Sequence, residues 1–268
     1  MQAMTDTDEL KFLSWNVNGL KNKIDNFNAA LLRLNPDVVF LQETRIAKLS
    51  DILTDRAYRY FITSYSSRIR GVAVLVKKDK LLLDCEPEVY RDPKGCYILV
   101  NCNLLGVKYS LVSVYNAKDK PNLLNTLVDT LEINKKGVLV IGGDFNTALD
   151  PRKDSTNSQR KDNTPRQNLC KFIKSFNLQD TWRVQNPDEK DYTYVVKSRL
   201  DYLFIPKTES LPIMECGILD ESISDHKPVS LTLSHRPKET NTTVAHSRKR
   251  KLANDSGESS TNWKQRKV

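Results

Sequence analysis

The sequence has few of the residues that mark secreted, membrane or zinc-binding proteins. Its five cysteines, among 268 residues, form no CxxC pair, and only three histidines are present. An odd number of cysteines without a signal-peptide segment predicts free thiols in a reducing, intracellular setting. No run of about eighteen apolar residues occurs, so we expect no transmembrane helix and no membrane partner. Residues 1–9 are polar and acidic, unlike a secretory signal.

Positive charge is concentrated at the C-terminal end. The net charge is +9, and residues 235–268 contribute +6 of it, with nine Lys and Arg against three Asp and Glu. This segment has one Trp and few aliphatic residues, so we expect a disordered basic tail at 235–268. We place a single domain at 10–234 and a disordered N-terminus at 1–9. The SRKRK cluster at 247–251 is typical of nuclear import or nucleic-acid contact, although a solvated tail explains it equally simply.

Apolar strands that alternate with helical segments predict an α/β fold. Runs of β-branched and aromatic residues indicate strands at 10–15, 37–42, 71–76, 96–102, 109–115, 137–143, 192–196, 200–205 and 228–233. Apolar residues at helical spacing indicate a helix from Ile24 to Leu34 that ends before Pro36, and further helices at 122–133 and 166–178. Many strands with a few helices between them favour a two-layer β-sandwich flanked by helices.

Several predicted strands end in polar side chains that a core strand does not need. These residues are Asn16 and Asn18, Gln42 and Glu43, Tyr115 and Asn116, Asp144 and Asn146, and Asp225 with His226 just before the last strand. Taken singly, each has an ordinary explanation as a turn former, a strand-end aromatic or a satisfied core histidine. Asp201 fits such an explanation less well, because a carboxylate inside an apolar strand costs several kcal/mol unless it is paired. Together the strand ends predict one converging site.

The residue types at these strand ends suit phosphate chemistry. Without clustered Cys or His a zinc site is not expected, whereas oxygen ligands suit Mg²⁺, with Mn²⁺ as a substitute, and Glu43 is the first choice of ligand. A histidine beside a carboxylate can stabilise a phosphoryl oxyanion, and a second carboxylate can take a proton from an attacking water. Amides and a Tyr hydroxyl can position phosphate oxygens. Gly142 and Gly143, just before Asp144, would allow phosphate and backbone to approach closely. The set predicts metal-assisted hydrolysis of a phosphate ester.

The segments SWNVNGL, LQET, VY, GGDFNT, SRLDYLF and SDHKP resemble, in order and spacing, the motifs of the exonuclease–endonuclease–phosphatase superfamily. Within it, residues 10–234 are most similar to the endonuclease domain of non-long-terminal-repeat retrotransposons, as in RGVAVLVKK and VLVIGGDFNTALDPRKD. The resemblance implies a deoxyribonuclease-like four-layer fold and a magnesium-dependent endonuclease that nicks one strand of duplex DNA, as in target-primed retrotransposition. The alternatives are an abasic-site repair endonuclease or another phosphodiesterase of this fold, and a non-catalytic nucleic-acid-binding relative.

The resemblance also implies a role for each matching residue. Asn16 and Glu43 would lie on the metal side, and Tyr115 and Asn146 would hold the scissile phosphate. Asp144 would activate water, and Asp201 would orient His226 or assist the metal. The remaining implied roles are a phosphate-stabilising dyad and a phosphate contact, assigned respectively to Asp225 with His226 and to Thr193.

Three features of the chain depart from the family pattern. Arg45 follows LQET where the family often has His, the family's Ala-Pro is missing after VY, and the turn at 195–198 is short. The choice of target therefore stays open. Basic clusters at 66–71, which contains Arg70, and at 150–154 and 159–167 could hold DNA phosphates, although each alone could be a solvated loop. We expect a nuclear protein that binds duplex DNA as a monomer.

Overall fold

The computed structural model describes residues 9–46, 57–82, 86–156, 164–208 and 211–235, and within them twelve strands form two mixed six-stranded sheets. In chain order the strands are β1 Glu9–Asn16, β2 Val38–Gln42, β3 Tyr58–Thr63, β4 Val72–Lys77, β5 Glu88–Arg91, β6 Tyr97–Leu104, β7 Val107–Tyr115, β8 Val138–Asp144, β9 Leu178–Asp180, β10 Asp201–Pro206, β11 Ile213–Ile218 and β12 Val229–Ser234. The helices are α1 Ile24–Leu34, α2 Leu123–Asn134, α3 Thr164–Ser175 and α4 Thr181–Gln185. The strand orders are β11-β12-β1-β2-β4-β3 and β5-β6-β7-β8-β10-β9.

Three apolar clusters hold the layers together. The central one lies between the sheets and includes Phe12, Phe40 and Tyr109. A second packs α1 against the first sheet through Phe27, and a third packs α2 and α3 against the second sheet around Phe145. Each sheet therefore has one face on the other sheet and one on helices, which explains why the central strands read as continuous apolar runs. The predicted α/β sandwich with four layers is confirmed.

The strand directions bring the polar strand ends to one edge. β1 and β2 are parallel neighbours in one sheet, and β7 and β8 are parallel neighbours in the other. β10 and β12 run antiparallel to β8 and β1, so their first residues lie beside the last residues of those partners. Parallel strands meet a ligand at their carboxyl ends, and here both central pairs open at the same edge.

The two glycines before Asp144 serve the contact between the sheets. A Cβ on Gly142 would lie 2.4 Å from the Phe40 ring of the opposite sheet, and one on Gly143 would lie 2.4 Å from the Val114 carbonyl oxygen. Real Cβ atoms do not approach neighbours so closely, so any side chain at either position would push the sheets or strands apart. These glycines therefore let β8 pack closely against its neighbours, and their expected role in the approach of phosphate stays a prediction.

The predicted elements agree with the structure except in three respects. Eight predicted strands occur with bounds shifted by at most two residues. Residues 192–196 are not a strand, because the backbone turns at 195–197, where the Lys197 N–H donates to the Tyr194 carbonyl. The third helix ends at Ser175 rather than at 178, since Asn177 takes the left-handed conformation and Leu178 begins β9. The strands β3, β5, β9 and β11 and the short α4 are absent from the sequence prediction.

Some expectations fall elsewhere. The N-terminal segment 1–8, the tail after His235 with its cluster at 247–251, and Cys85 lie outside the described residues. Cys96, Cys102, Cys170 and Cys216 are free. Among the described helices, none has the length and apolar character needed to span a membrane.

Candidate active site

The polar strand ends surround an open cleft of about 570 Å³ at the shared edge of the two sheets. The residues lining it come from both sheets and their loops, and they include Glu43, Arg70, Tyr115, Asp144, Asn146, Asp225 and His226. Asn16 lies fully buried behind them and is hydrogen-bonded to two of these carboxylates. Asp201 is also fully buried, one hydrogen bond behind His226. The structure thus brings together nine of the ten predicted site residues, the exception being Thr193.

Asn16 joins the acidic groups of the two sheets. Its amide nitrogen donates to Glu43 Oε1 at 3.0 Å and to Asp144 Oδ2 at 2.9 Å. Its amide oxygen accepts from the backbone N–H of Asn18 at 3.0 Å. Because an amide at this point can donate to both carboxylates at once, it holds two negative groups near each other and fixes their orientation.

Asp201 and His226 form a buried pair. His226 Nδ1 lies 2.8 Å from Asp201 Oδ2, and the His226 carbonyl accepts from the indole of Trp15 at 2.9 Å. Burial alone would lower the pKa of His226, but the charge and hydrogen bond of Asp201, with smaller contributions from Asp144 and Asp225, raise it to about 9. The ring is therefore a positively charged imidazolium at neutral pH, and its Nδ1–H donates to Asp201.

Asp225 does not pair with His226. Asp225 Oδ1 accepts from the Asn18 amide at 2.9 Å and from the Ser224 hydroxyl at 3.2 Å. The expected orientation of His226 by Asp201 is therefore found, whereas Asp225 acts on His226 only through its charge and makes no direct hydrogen bond to it.

Asp144 is a carboxylate with a perturbed affinity for protons. It is 1% exposed, and its Oδ1 accepts from the backbone N–H of Asn146 at 2.8 Å. Burial and the negative charge of Asp201 raise the pKa of Asp144 to about 7, against the opposing effects of His226 and of two hydrogen bonds. A carboxylate with a pKa near neutrality suits a general base.

Tyr115 and Asn146 lie at the mouth of the cleft. Burial, followed by the charges of Glu43 and Asp144, raises the pKa of the Tyr115 hydroxyl, which therefore stays protonated and can donate to an anion. Asn146 takes a left-handed backbone with φ 50° and donates through its amide to the Asn116 carbonyl at 3.2 Å. Such strain in a non-glycine residue is typical of functional sites.

Thr193 and Arg70 are engaged within the protein. Thr193 is fully buried, and its hydroxyl accepts from the backbone N–H groups of Leu200 at 3.0 Å and Asp201 at 3.2 Å. The predicted phosphate contact of Thr193 is thus wrong, because its oxygen anchors the start of β10. Arg70 borders the cleft, but its side chain is 8% exposed and its guanidinium forms an ion pair with Asp119.

A buried ion-pair network supports the strand that carries Asp201. Arg199 is 1% exposed and lies 2.9 Å from Asp154 and 2.7 Å from Asp180. Its guanidinium also lies between the rings of Trp182 and Tyr202, at 5.0 and 4.6 Å. Since Arg199 is two residues before Asp201, this network fixes the backbone from which the carboxylate projects.

Two groups of donors in the cleft are candidates for a cation. Asp144, Asp201 and His226 offer ligand atoms within 4.8 Å of one another, and the buried Asp201 Oδ1 has no hydrogen-bond partner within the described part of the chain. However, His226 Nδ1 and Asp201 Oδ2 already bind each other. Glu43 provides a carboxylate at the cleft wall, and Mg²⁺ prefers such oxygen donors with several retained waters, whereas the buried Asn16 oxygen already accepts from the Asn18 N–H. The donor chemistry therefore fits a hydrated magnesium ion best at Glu43.

Three further cleft residues were given no role from the sequence, although Asn18 was among the strand-end residues expected at the site. Tyr194 packs its ring on His226 with centroids 4.6 Å apart, and its backbone bridges to the same residue. Asn18 holds Asp225, and Arg45 forms an ion pair with Glu43. Asn18 lies within SWNVNGL and Arg45 directly follows LQET, so their positions in the sequence could have indicated both. The stacking of Tyr194 depends on a turn that the strand-like pattern of residues 192–196 did not indicate.

Comparison with known proteins gives a consistent result. The model of the family described as Endonuclease/Exonuclease/phosphatase matches residues 13–226. The Transposon TX1 uncharacterized 149 kDa protein of Xenopus laevis is 28% identical over 248 residues, which are 85% of this chain but 18% of that protein. Exodeoxyribonuclease III of Haemophilus influenzae is 24% identical, with 82% of this chain and 98% of that protein aligned. The AP endonuclease LMAP from Leishmania major shares the fold, with a TM-score of 0.71, 17% identity, and coverage of 88% of this chain and 92% of that chain.

Proposed function

Because the chain belongs to the Endonuclease/Exonuclease/phosphatase family, a family of phosphoester-hydrolysing enzymes, we propose that it is a magnesium-dependent endonuclease that nicks one strand of duplex DNA. The observation that carries this proposal is the single cleft in which a buried Asp–His pair faces Asp144, Asn146, Tyr115 and Glu43. Similarity along 85% of the chain to a transposon protein supports a nick of the kind that starts target-primed retrotransposition.

The protein's own residues divide the chemistry between them. Asp144, with its raised pKa, takes the proton of the attacking water, and Asn146 and Tyr115 donate hydrogen bonds that hold the scissile phosphate. The imidazolium of His226 faces the negative charge that develops on the phosphate, and Asp201 keeps the ring protonated and oriented.

Glu43, aligned by the Asn16 amide, would hold the magnesium ion. When bound, the ion supplies Lewis-acid stabilisation of phosphate oxygens. Glu43 lies at the wall of the cleft with its side chain 15% exposed, so a hydrated ion can reach it while Asn16 keeps its carboxylate aligned.

An abasic-site endonuclease is the second candidate. It is favoured by the likeness to exodeoxyribonuclease III over that protein's whole length and by the fold shared with an AP endonuclease. The two candidates differ in substrate, since one cuts intact duplex and the other requires a missing base.

Nicking by the purified full-length protein tests the proposal. Supercoiled plasmid and a duplex oligonucleotide with one abasic site would be compared, each with Mg²⁺, with Mn²⁺ and with a chelator. We expect metal-dependent nicking of the intact plasmid, with little preference for the lesion. Strong preference for the abasic strand would assign the protein to repair, and cleavage that persists in chelator would contradict the metal requirement.

Variants of cleft residues test whether the nicking comes from this protein or from a contaminating nuclease. We expect Asp144→Ala and His226→Ala to abolish nicking while DNA binding, measured by fluorescence anisotropy, stays nearly intact. Asp220→Asn is a suitable control because Asp220 is a carboxylate on an exposed loop, with its side chain 95% exposed. Normal turnover by either alanine variant would contradict the assigned site.

The same preparation in size-exclusion chromatography tests the expected monomer, and a fluorescent fusion with and without residues 236–268 tests nuclear entry.

A further inference from the structure

The loop after β2 places an acid and a base against each other. Glu43 and Arg45 both take the left-handed backbone, with φ 49° and 51°. The loop is held from both sides, since the Gly19 N–H donates to the Glu43 carbonyl at 2.7 Å and the Arg45 N–H to the Arg70 carbonyl at 2.9 Å. Non-glycine residues keep this conformation only when surrounding contacts enforce it, so the facing of these two side chains is built into the loop.

Both carboxylate oxygens of Glu43 are occupied. Oε1 accepts from Asn16, and Oε2 forms an ion pair with Arg45 Nη2. The side chains of Glu43 and Arg45 are 15% and 34% exposed, so water screens this pair only in part. A cation that binds Glu43 must therefore compete with a cation that the protein itself supplies.

Arg45 has an alternative use for its charge. Its Nε is buried and has no hydrogen-bond partner among the described residues, and the side chain lines the cleft that contains Asp144 and His226. A guanidinium has five N–H donors in a planar fork that suits phosphate oxygens. Released from Glu43, it would meet the substrate at the same cleft wall.

We propose that Arg45 is an internal counter-ion that competes with the divalent cation for Glu43 and, once displaced, binds a phosphate of the DNA. This inference rests on the proposed metal role of Glu43. It makes metal and DNA binding mutually favourable, because each removes a partner that the other must otherwise displace. The free enzyme then holds magnesium weakly and gains affinity for it with substrate in the cleft.

Isothermal titration of Mg²⁺ into the full-length protein without DNA tests the competition. We expect Arg45→Gln to bind Mg²⁺ about three- to fivefold more tightly than the wild type, the upper part of the range for a partly screened ion pair. Arg45→Lys keeps the charge and should stay within about twofold of the wild type. Arg59→Gln is the matched control, because Arg59 also forms an ion pair with a glutamate, Glu86, on a remote exposed surface, and its loss changes net charge equally.

The outcomes separate this inference from the proposed function. Unchanged or weaker Mg²⁺ binding by folded Arg45→Gln, with normal binding by the wild type, would overturn the counter-ion role and leave the endonuclease proposal standing. Magnesium binding that persists in Glu43→Gln would show that the metal site does not depend on Glu43. That result would remove the basis of the counter-ion role and of the metal role assigned to Glu43 in the proposed function. In nicking kinetics, Arg45→Gln should need less Mg²⁺ for half-maximal rate but show a higher KM for duplex DNA. A wild-type KM would refute the phosphate contact.

Discussion

Replacing Asp201 by Asn tests the buried pair most directly, because the change keeps the size of the side chain and removes its charge. Asp201 is fully buried, and its Oδ2 is 2.8 Å from His226 Nδ1. An asparagine amide can donate to Nδ1, which would shift the histidine proton to Nε2 and leave the ring neutral. The cleft would then lose the positive charge that faces the substrate.

The raised pKa of His226 shows how strongly the folded protein favours the protonated ring. Its rise from 6.5 to about 9 depends first on the charge and hydrogen bond of Asp201, which outweigh the opposing effect of burial. At roughly 1.4 kcal/mol per pKa unit, this shift corresponds to about 3 kcal/mol in favour of the imidazolium. Removing one group that stabilises the developing negative charge typically lowers kcat about 100- to 1000-fold, so loss of the imidazolium should lower kcat at least about 100-fold. KM should change little, because the ground-state contacts of the phosphate do not include Asp201.

The assay is single-turnover nicking of supercoiled plasmid at neutral pH, together with an NMR titration of the His226 ring. Asp220→Asn, the same substitution at an exposed carboxylate, should leave both measurements at their wild-type values. A folded Asp201→Asn protein that keeps more than about a fifth of the wild-type kcat would refute the charge argument, as would a His226 pKa that remains near 9.

Three further predictions concern stability, measured by thermal and denaturant unfolding. Gly142→Ala should cost about 1–3 kcal/mol or more by forcing a Cβ onto Phe40, whereas Gly217→Ala, with 3.3 Å to its nearest neighbour, should cost clearly less. Thr193→Val leaves two buried N–H groups without their acceptor and should cost about 1–3 kcal/mol per group, while Thr193→Ser restores stability and nicking. A raised KM for DNA in Thr193→Val at unchanged stability would instead support a phosphate contact. Arg199→Met should cost about 3–5 kcal/mol, since it leaves the largely buried Asp180 without its ion pair and Asp154 with Arg183 alone, and wild-type stability would contradict the importance of that network.

The central strands could be predicted from the sequence, but the edge strands could not. β3, β5, β9 and β11, the four strands absent from the sequence prediction, are the outermost strands of the two sheets. An edge strand is half-exposed and has one neighbour, so β5, for example, reads EVYR and contains no residue that is fully buried. Central strands are covered on both faces and have continuous apolar runs that pattern alone detects.

The candidate site shows a similar division. Residue types at strand ends, with their order, were enough to predict which side chains share the cleft, because strand direction alone brings those ends together. Hydrogen-bond partners could not be predicted in this way. The resemblance did imply that Asp201 orients His226, and the pair is found, but it did not show that Asp225 binds Asn18 and Ser224 rather than His226. Thr193 was assigned to phosphate from the family resemblance. The sequence does not show that its hydroxyl oxygen accepts hydrogen bonds from two backbone N–H groups.

The two sides of the cleft differ in how firmly they are held, and this difference suits their proposed roles. Asp144, Asp201 and His226 are at most 6% exposed and are fixed by strand pairing, by Trp15 and by the Thr193 anchor. A group that moves protons or stabilises charge gains from such rigidity, since it then spends no energy on reorganisation during the reaction. Glu43 instead stands on a left-handed loop, partly exposed, with an arginine as an exchangeable partner. A side that must admit a hydrated ion gains from that access, so substitutions there should change metal and DNA binding with little loss of stability.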